Sequence, residues 1–345
     1  MGKGARPLIV ARESRVALFG VVGLLFAFLG ALAFPSWTIG LGTVVLGVPH
    51  VLSDVRYLVV RRDYTRRLSL YAAVALSIVG AALGFGLRGA LVGALLATAF
   101  SRASLWRRAF VASGITLLLA VAWHFGAVAD LVYAQAHNLV AVLFFGLFVH
   151  TRTRDVGGPE ALRPSGKKAY LPLVVFAVLA GFLLTPYGLD ALVWAGGLLP
   201  SRAPAELDVG TLAGQIAPLA DPSWAVRGVV FFAFAQAAHY VVWLRLVPEL
   251  DRPSSRPRSF TQSARALVRE LTPWGCAFFG SGFVVFVVWG IVSLARARIA
   301  YLQSAFFHGY LELAVLAVWA VEGLGTKVVR GATTHETGKE LVGTS

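Results

Sequence analysis

Long apolar runs, broken only by short clusters of charge, follow one another almost end to end from residue 16 to residue 322. Nothing else in the chain limits its fold so strongly, because a helix needs only about 20 apolar residues to cross a bilayer. The 345 residues are 57% hydrophobic and 14% charged, with a mean hydropathy of +0.73; a soluble domain carries about 25% charged residues. The runs are continuous rather than alternating, so they predict helices and not the strands of a membrane barrel. The expected fold class is all-α: a polytopic transmembrane bundle of about ten spans, within a range of roughly eight to ten.

The expected spans are approximately 16–34, 37–60, 70–87, 89–101, 109–128, 130–150, 170–196, 226–247, 273–294 and 299–322. The third and fourth are short enough to form one broken hairpin, and "TPYGLD" is expected to kink or end the seventh. Together they make one helical domain over 1–324, followed by a polar tail at 325–345 expected to be disordered. The 201–224 segment is expected to carry a short interfacial helix, with Trp224 at headgroup level. The basic N-terminal segment reads as the flank of a retained first helix rather than a cleaved signal. Cys276, the single cysteine, excludes an internal disulfide and a CxxC metal site.

The net charge of +14 does not point to nucleic acid, because the charges sit in clusters between apolar segments. With the N-terminus inside, "RRDYTRR" (61–67), "RASLWRR" (102–108), the 151–168 loop and the 248–272 loop all fall on the cytoplasmic side, as the positive-inside rule requires. Both termini are then cytoplasmic, and an arginine- and alanine-rich composition suggests a bacterial inner membrane.

Seven histidines are present. His335 lies in the tail and His150 at a helix end. His50, His124, His137, His239 and His308 lie within spans, where a polar group costs several kcal/mol unless it is partnered and usually marks a function. His50, His137, His239 and His308 each fall in the middle third of a different span, and His124 lies nearer the outer end of its own. Imidazoles gathered at one level predict a metal site suited to iron, copper or zinc. Asp54 and Glu312 follow His50 and His308 by four residues, while Tyr133 and Gln236 precede His137 and His239 by four and three. Each of the four is expected to orient its neighbouring imidazole. Trp123, Phe125, Tyr240, Trp243, Phe306 and Phe307 are the aromatics expected to line a substrate cleft. Paired desaturase-type histidines, HExxH, P-loops and Rossmann glycine patterns are all missing.

"GVPHVLSD" (47–54), "WHFGAVAD" (123–130) and "QAAHYVVW" (236–243) resemble motifs of the Brp/Blh-type bacterial β-carotene 15,15′-dioxygenases. The resemblance implies a polytopic enzyme that holds Fe(II) with histidines and cleaves a carotenoid with O2, with His50, His124 and His239 among the ligands. Val51 stands where that family usually has glycine, and Trp243 near where it has a second late histidine. Two other classes stay open at this point: a b-type haem electron carrier with two axial histidines, and a proton- or metal-coupled transporter. A Soret band would mark the haem protein. Tightly held non-haem iron would mark an oxygenase acting on an apolar small molecule taken from the lipid bilayer, and exchangeable metal with uptake would mark the transporter.

Overall fold

In a computed structural model the chain is described over residues 11–154, 167–198, 203–252 and 259–323, and these are helical, with no strand. The expected tail, His335 and most of the 151–168 loop lie outside the described residues. The helices are α1 (Arg12–Ala33), α2 (Pro35–Val60), α3 (Leu68–Ala82), α4 (Gly86–Ala99), α5 (Leu105–Phe125), α6 (Ala127–Arg154), α7 (Leu171–Leu184), α8 (Pro186–Leu198), α9 (Val209–Ile216), α10 (Pro222–Leu250), α11 (Phe260–Val292), α12 (Leu294–Ala305) and α13 (Phe307–Glu322). Among the described residues, eight helical rods are long and apolar enough to cross a membrane, counting α12 and α13 as one. The chain is an integral membrane protein of the all-α, polytopic class.

Several features of these helices have local causes. The third and fourth expected spans are helices of 15 and 14 residues, folded back on each other as a hairpin. A Cβ on Gly80 would stand 2.8 Å from the Cα of Gly89, so only glycine allows these backbones to approach. The seventh expected span divides at Thr185, because Pro186 cannot continue the preceding helix. The 248–272 loop shrinks, since α11 begins at Phe260 behind a capping box of Ser259 and Gln262. That rod bends at Thr272, whose φ of 65° precedes Pro273, and it has no fully buried residue. α11 is the outermost helix, lying against α2 and α12.

At the centre stands α10, packed against α1, α2, α6, α7 and α9. Two apolar cores share its length. One gathers Tyr57, Phe144, Phe148, Trp243, Leu246 and Trp319, and the other Leu24, Ile39, Val44, Leu207 and Phe234. The first ends in a belt of ion pairs. Arg61 bonds Glu270 and Asp251, Arg67 grips Glu322 through two bonds of 2.8 Å, and Glu322 also accepts the Arg102 backbone N–H. Loops 61–67 and 102–108 therefore share one end of the bundle, as alternate crossing demands. At the other end the expected short helix of the 201–224 segment is α9.

Asp208 caps α9, accepting from the Gly210 and Thr211 N–H groups. The Thr211 hydroxyl, followed by these amides, holds the Asp208 carboxyl below its ordinary value. A depressed carboxyl adds stability above its unfolded pKa, and that stability is lost as pH falls through the folded value. Hydrogen exchange of the 209–216 amides, corrected for intrinsic rate, is expected to speed up as pH drops below the carboxylate range. In Asp208→Ala it is expected to be fast at every pH, and a pH-independent wild type would refute the cap.

Candidate metal centre

The two cores meet at a layer of histidines. On α2, His50 falls between Val44 of one core and Tyr57 of the other; on α10, His239 falls between Ala238 and Val242. His137 comes from α6 and His308 from the first turn of α13. His50, His239 and His308 are buried and each presents a ring nitrogen, all within 4.8 Å of one another. The His137 ring is 4.6 Å from His308 and 5.1 Å from His239, centroid to centroid. Four of the five expected imidazoles thus converge.

The backbone around them is not regular helix. The π-helical turns Gly42–Leu46 and Val242–Leu246 lie just before Pro49 and Pro248. A proline inside a helix offers no N–H to the carbonyl four residues back, and a widened turn takes up the mismatch. Such bulges are frequent at functional sites. A third, Val55–Val60, follows Asp54. The prolines were visible in the sequence, but the bulges they cause were not expected from it.

Nε2 of His308 stands 3.3 Å from Nε2 of His50 and 2.8 Å from Nε2 of His137. The Nδ1 of His308 donates to the Ala305 carbonyl at the break between α12 and α13, which leaves its Nε2 as the lone-pair nitrogen. The Nδ1 of His137 lies 3.2 Å from a Glu312 carboxylate oxygen, close but out of line for a hydrogen bond. The 2.8 Å between the two Nε2 atoms suits an N–H···N hydrogen bond from His137 to His308 or a shared cation, according to which His137 nitrogen carries the proton. Metal–nitrogen bonds of about 2.0–2.1 Å put neighbouring ligand nitrogens roughly 3 Å apart, close to the spacing here. Among the described residues, no well-aligned hydrogen bond reaches either nitrogen of buried His239, or either oxygen of Asp54 or Glu312, both fully buried. Unpartnered buried nitrogens and carboxylates around converging imidazoles fit a metal ion.

The carboxylates differ from the expected roles. Glu312 lies beside His137, across the helix interface, rather than beside its i−4 neighbour His308. The Oδ2 of Asp54 is 4.0 Å from Nε2 of His50, on the side facing the other imidazoles rather than behind the ring. Gln236 does not reach His239; it donates to Thr43 Oγ1 at 2.9 Å and to the Tyr240 hydroxyl at 3.2 Å, tying α10 to α2. Tyr133 points its buried, unpartnered hydroxyl at the α13 backbone beside His137, near Gly309.

His124 is not part of the layer. It is exposed at the end of α5, its ring edge-on to Phe125. Gly126, at φ 52°, turns the chain sharply there into α6. Trp123 and Phe125 are exposed as well, Trp123 against Phe85 and Arg88. Asp130 of the same motif accepts from the Leu87 N–H at 2.7 Å and caps α4. Of the other expected cleft aromatics, Tyr240 packs on His50 at 5.0 Å, while Trp243 is core against Phe144. Phe306 lies at the surface beside Tyr310, and Phe307 packs with Val48, Val51 and Tyr301.

Tyr301 escaped the sequence reading. Its hydroxyl lies 3.5 Å from His50 Nδ1 and its ring covers Gly47. The signal was its place seven residues before His308, two turns along the same face. A Cβ on Gly47 would stand 2.5 Å from Tyr301 Cζ. Gly47→Ala is therefore expected to displace Tyr301 from His50 and weaken metal binding by about 10-fold, as loss of an outer-shell partner does, with every candidate ligand still in place. Equal metal content after dialysis of mutant and wild type against graded chelator would disprove it.

Fold and site together define a polytopic α-helical membrane protein with a cluster of four histidines, three of them buried, and two buried carboxylates. Compared with known proteins, the chain matches no family model, no curated protein and no solved structure.

Proposed function

We propose that the protein is a membrane-embedded non-haem iron oxygenase acting on an apolar molecule drawn from the bilayer, with a carotenoid-like polyene as the narrower reading, and that it works in a bacterial inner membrane with both termini cytoplasmic. The observation that carries this is the four imidazoles whose nitrogens face one another beside two unpartnered carboxylates, deep between two apolar cores. Imidazole and carboxylate donors suit iron, and when bound the iron would supply the site's capacity to activate O2. His50, His137, His239 and His308 would hold it. Asp54 and Glu312 would offset its charge, and the surrounding apolar side chains would exclude water.

Haem is disfavoured by spacing. Two axial imidazoles hold their nitrogens about 4 Å apart across the macrocycle, twice a bond of ~2.0 Å. Here Nε2 atoms stand at 2.8 and 3.3 Å with a fourth ring alongside, leaving no plane for a porphyrin. The carotenoid reading rests on the resemblance to the Brp/Blh-type family, for which His50 and His239 lie in the cluster and His124 does not.

The deciding experiment is metal analysis by mass spectrometry on detergent-purified protein, beside its visible spectrum. About one iron per chain without a Soret band is expected, with O2-dependent consumption of a carotenoid when one is supplied. No stoichiometric metal after metal-replete expression would overturn the proposal and favour a proton path through Asp54, Glu312 and the histidines. Asp54→Asn and Glu312→Gln are each expected to weaken metal binding by ~10–100-fold, read as metal retained against a chelator series.

A further inference from the structure

A second buried charge lies beside Tyr240, outside the set of converging histidines. Arg298, on α12, is 8% exposed, and among the described residues its guanidinium makes no hydrogen bond or ion pair. Buried Arg15 and half-buried Arg61, by contrast, face carboxylates. The stretch 199–202, outside the described residues, reads LPSR and contains no acid. Beside Arg298 opens a cavity of about 560 Å³, walled by Leu207, Thr211 and Gln215 on one side and by Ala295 and Ile299 on the other. Glu206 also borders it, exposed and without an ion pair to Arg298.

We propose that Arg298 and this cavity bind the carboxylate of a long-chain apolar acid. A guanidinium held in apolar surroundings needs a counter-anion to offset its desolvation, and its planar fork matches a carboxylate through two parallel bonds. The Thr211 hydroxyl is already given to Asp208, so the Gln215 amide is the remaining neutral donor on the wall. Glu206 at the border sets the ligand's charge low, favouring a monoanion over a phosphate dianion. Leu207, Ala295 and the half-exposed Ile299 offer the chain an apolar path from the cavity toward lipid. This site stands on Arg298 and the cavity alone and is independent of the metal centre.

The test uses the full chain in neutral phosphatidylcholine nanodiscs, with radiolabelled palmitate as probe and hexadecanol and hexadecyl phosphate as competitors. Saturable binding of about one palmitate per chain is expected, displaced weakly by either competitor. Arg298→Gln should weaken it at least about 10-fold, the least expected from losing a charge-assisted contact, while exposed Arg296→Gln leaves it unchanged. Gln215→Glu, at an exposed wall position, should weaken it too by adding a competing carboxylate, and this reads the site even where Arg298→Gln fails to insert. Absence of saturable palmitate binding, or equal binding in the folded Arg298→Gln and Gln215→Glu variants, overturns the proposal. Stronger displacement by hexadecyl phosphate also overturns it, assigning the cavity to a lipid phosphate.

Discussion

If the proposed metal site is right, His308→Ala is expected to leave the protein without bound metal while still inserted and folded. His308 is the imidazole whose Nε2 faces both His50 and His137, at 3.3 and 2.8 Å, so its removal takes out the shared corner of the cluster. The loss should exceed the ~10–100-fold that an outer-shell partner is worth and reduce metal per chain to background. His124→Ala, at an exposed position off the layer, should retain wild-type metal. The measurement is metal per chain by mass spectrometry, with size-exclusion elution as the folding control. Full metal in His308→Ala would end the idea that these imidazoles act together.

The second large effect is on stability. Glu249, 2% exposed, accepts from Arg15 at 3.0 and 2.7 Å and lies 3.0 Å from Arg252 and 3.6 Å from Arg245. It holds the start of α1 against the end of α10. Taking one partner from a buried ion pair costs about 3–5 kcal/mol, because the remaining charge keeps its desolvation penalty. Glu249→Ala should lower the melting temperature in detergent by ~5–10 °C, and Glu249→Gln, which keeps a hydrogen-bond acceptor, by less. An unchanged melting curve for Glu249→Ala would mean that solvent or lipid already compensates these arginines.

Much of the bundle was legible because bilayer thickness acts on each segment separately. Apolar length marked the long rods, and Pro186 marked the break between α7 and α8. The α3–α4 hairpin was expected, but the glycine contact inside it and the early start of α11 were less legible. The first depends on Gly80 meeting Gly89 across helices, and the second on a Ser259–Gln262 cap that sits in a basic stretch resembling a loop.

The site divides in the same way. Depth along a helix is a count of residues, so the common level of His50, His137, His239 and His308 followed from sequence. Rotation about the helix axis does not follow, because each residue turns the side chain by about 100° and the packing of neighbours chooses the face that turns inward. His124 is turned outward for that reason, and Gln236 meets Thr43 rather than His239. The i+4 spacing put Asp54 on the helix face of His50 and Glu312 on that of His308. It could not say that Glu312 would reach across to His137, nor that π-turns near Pro49 and Pro248 would interrupt the regular rotation on which the spacing depends. Composition and periodicity are properties of one helix at a time, whereas a shared site belongs to the contacts between helices, and these exist only once the bundle has packed.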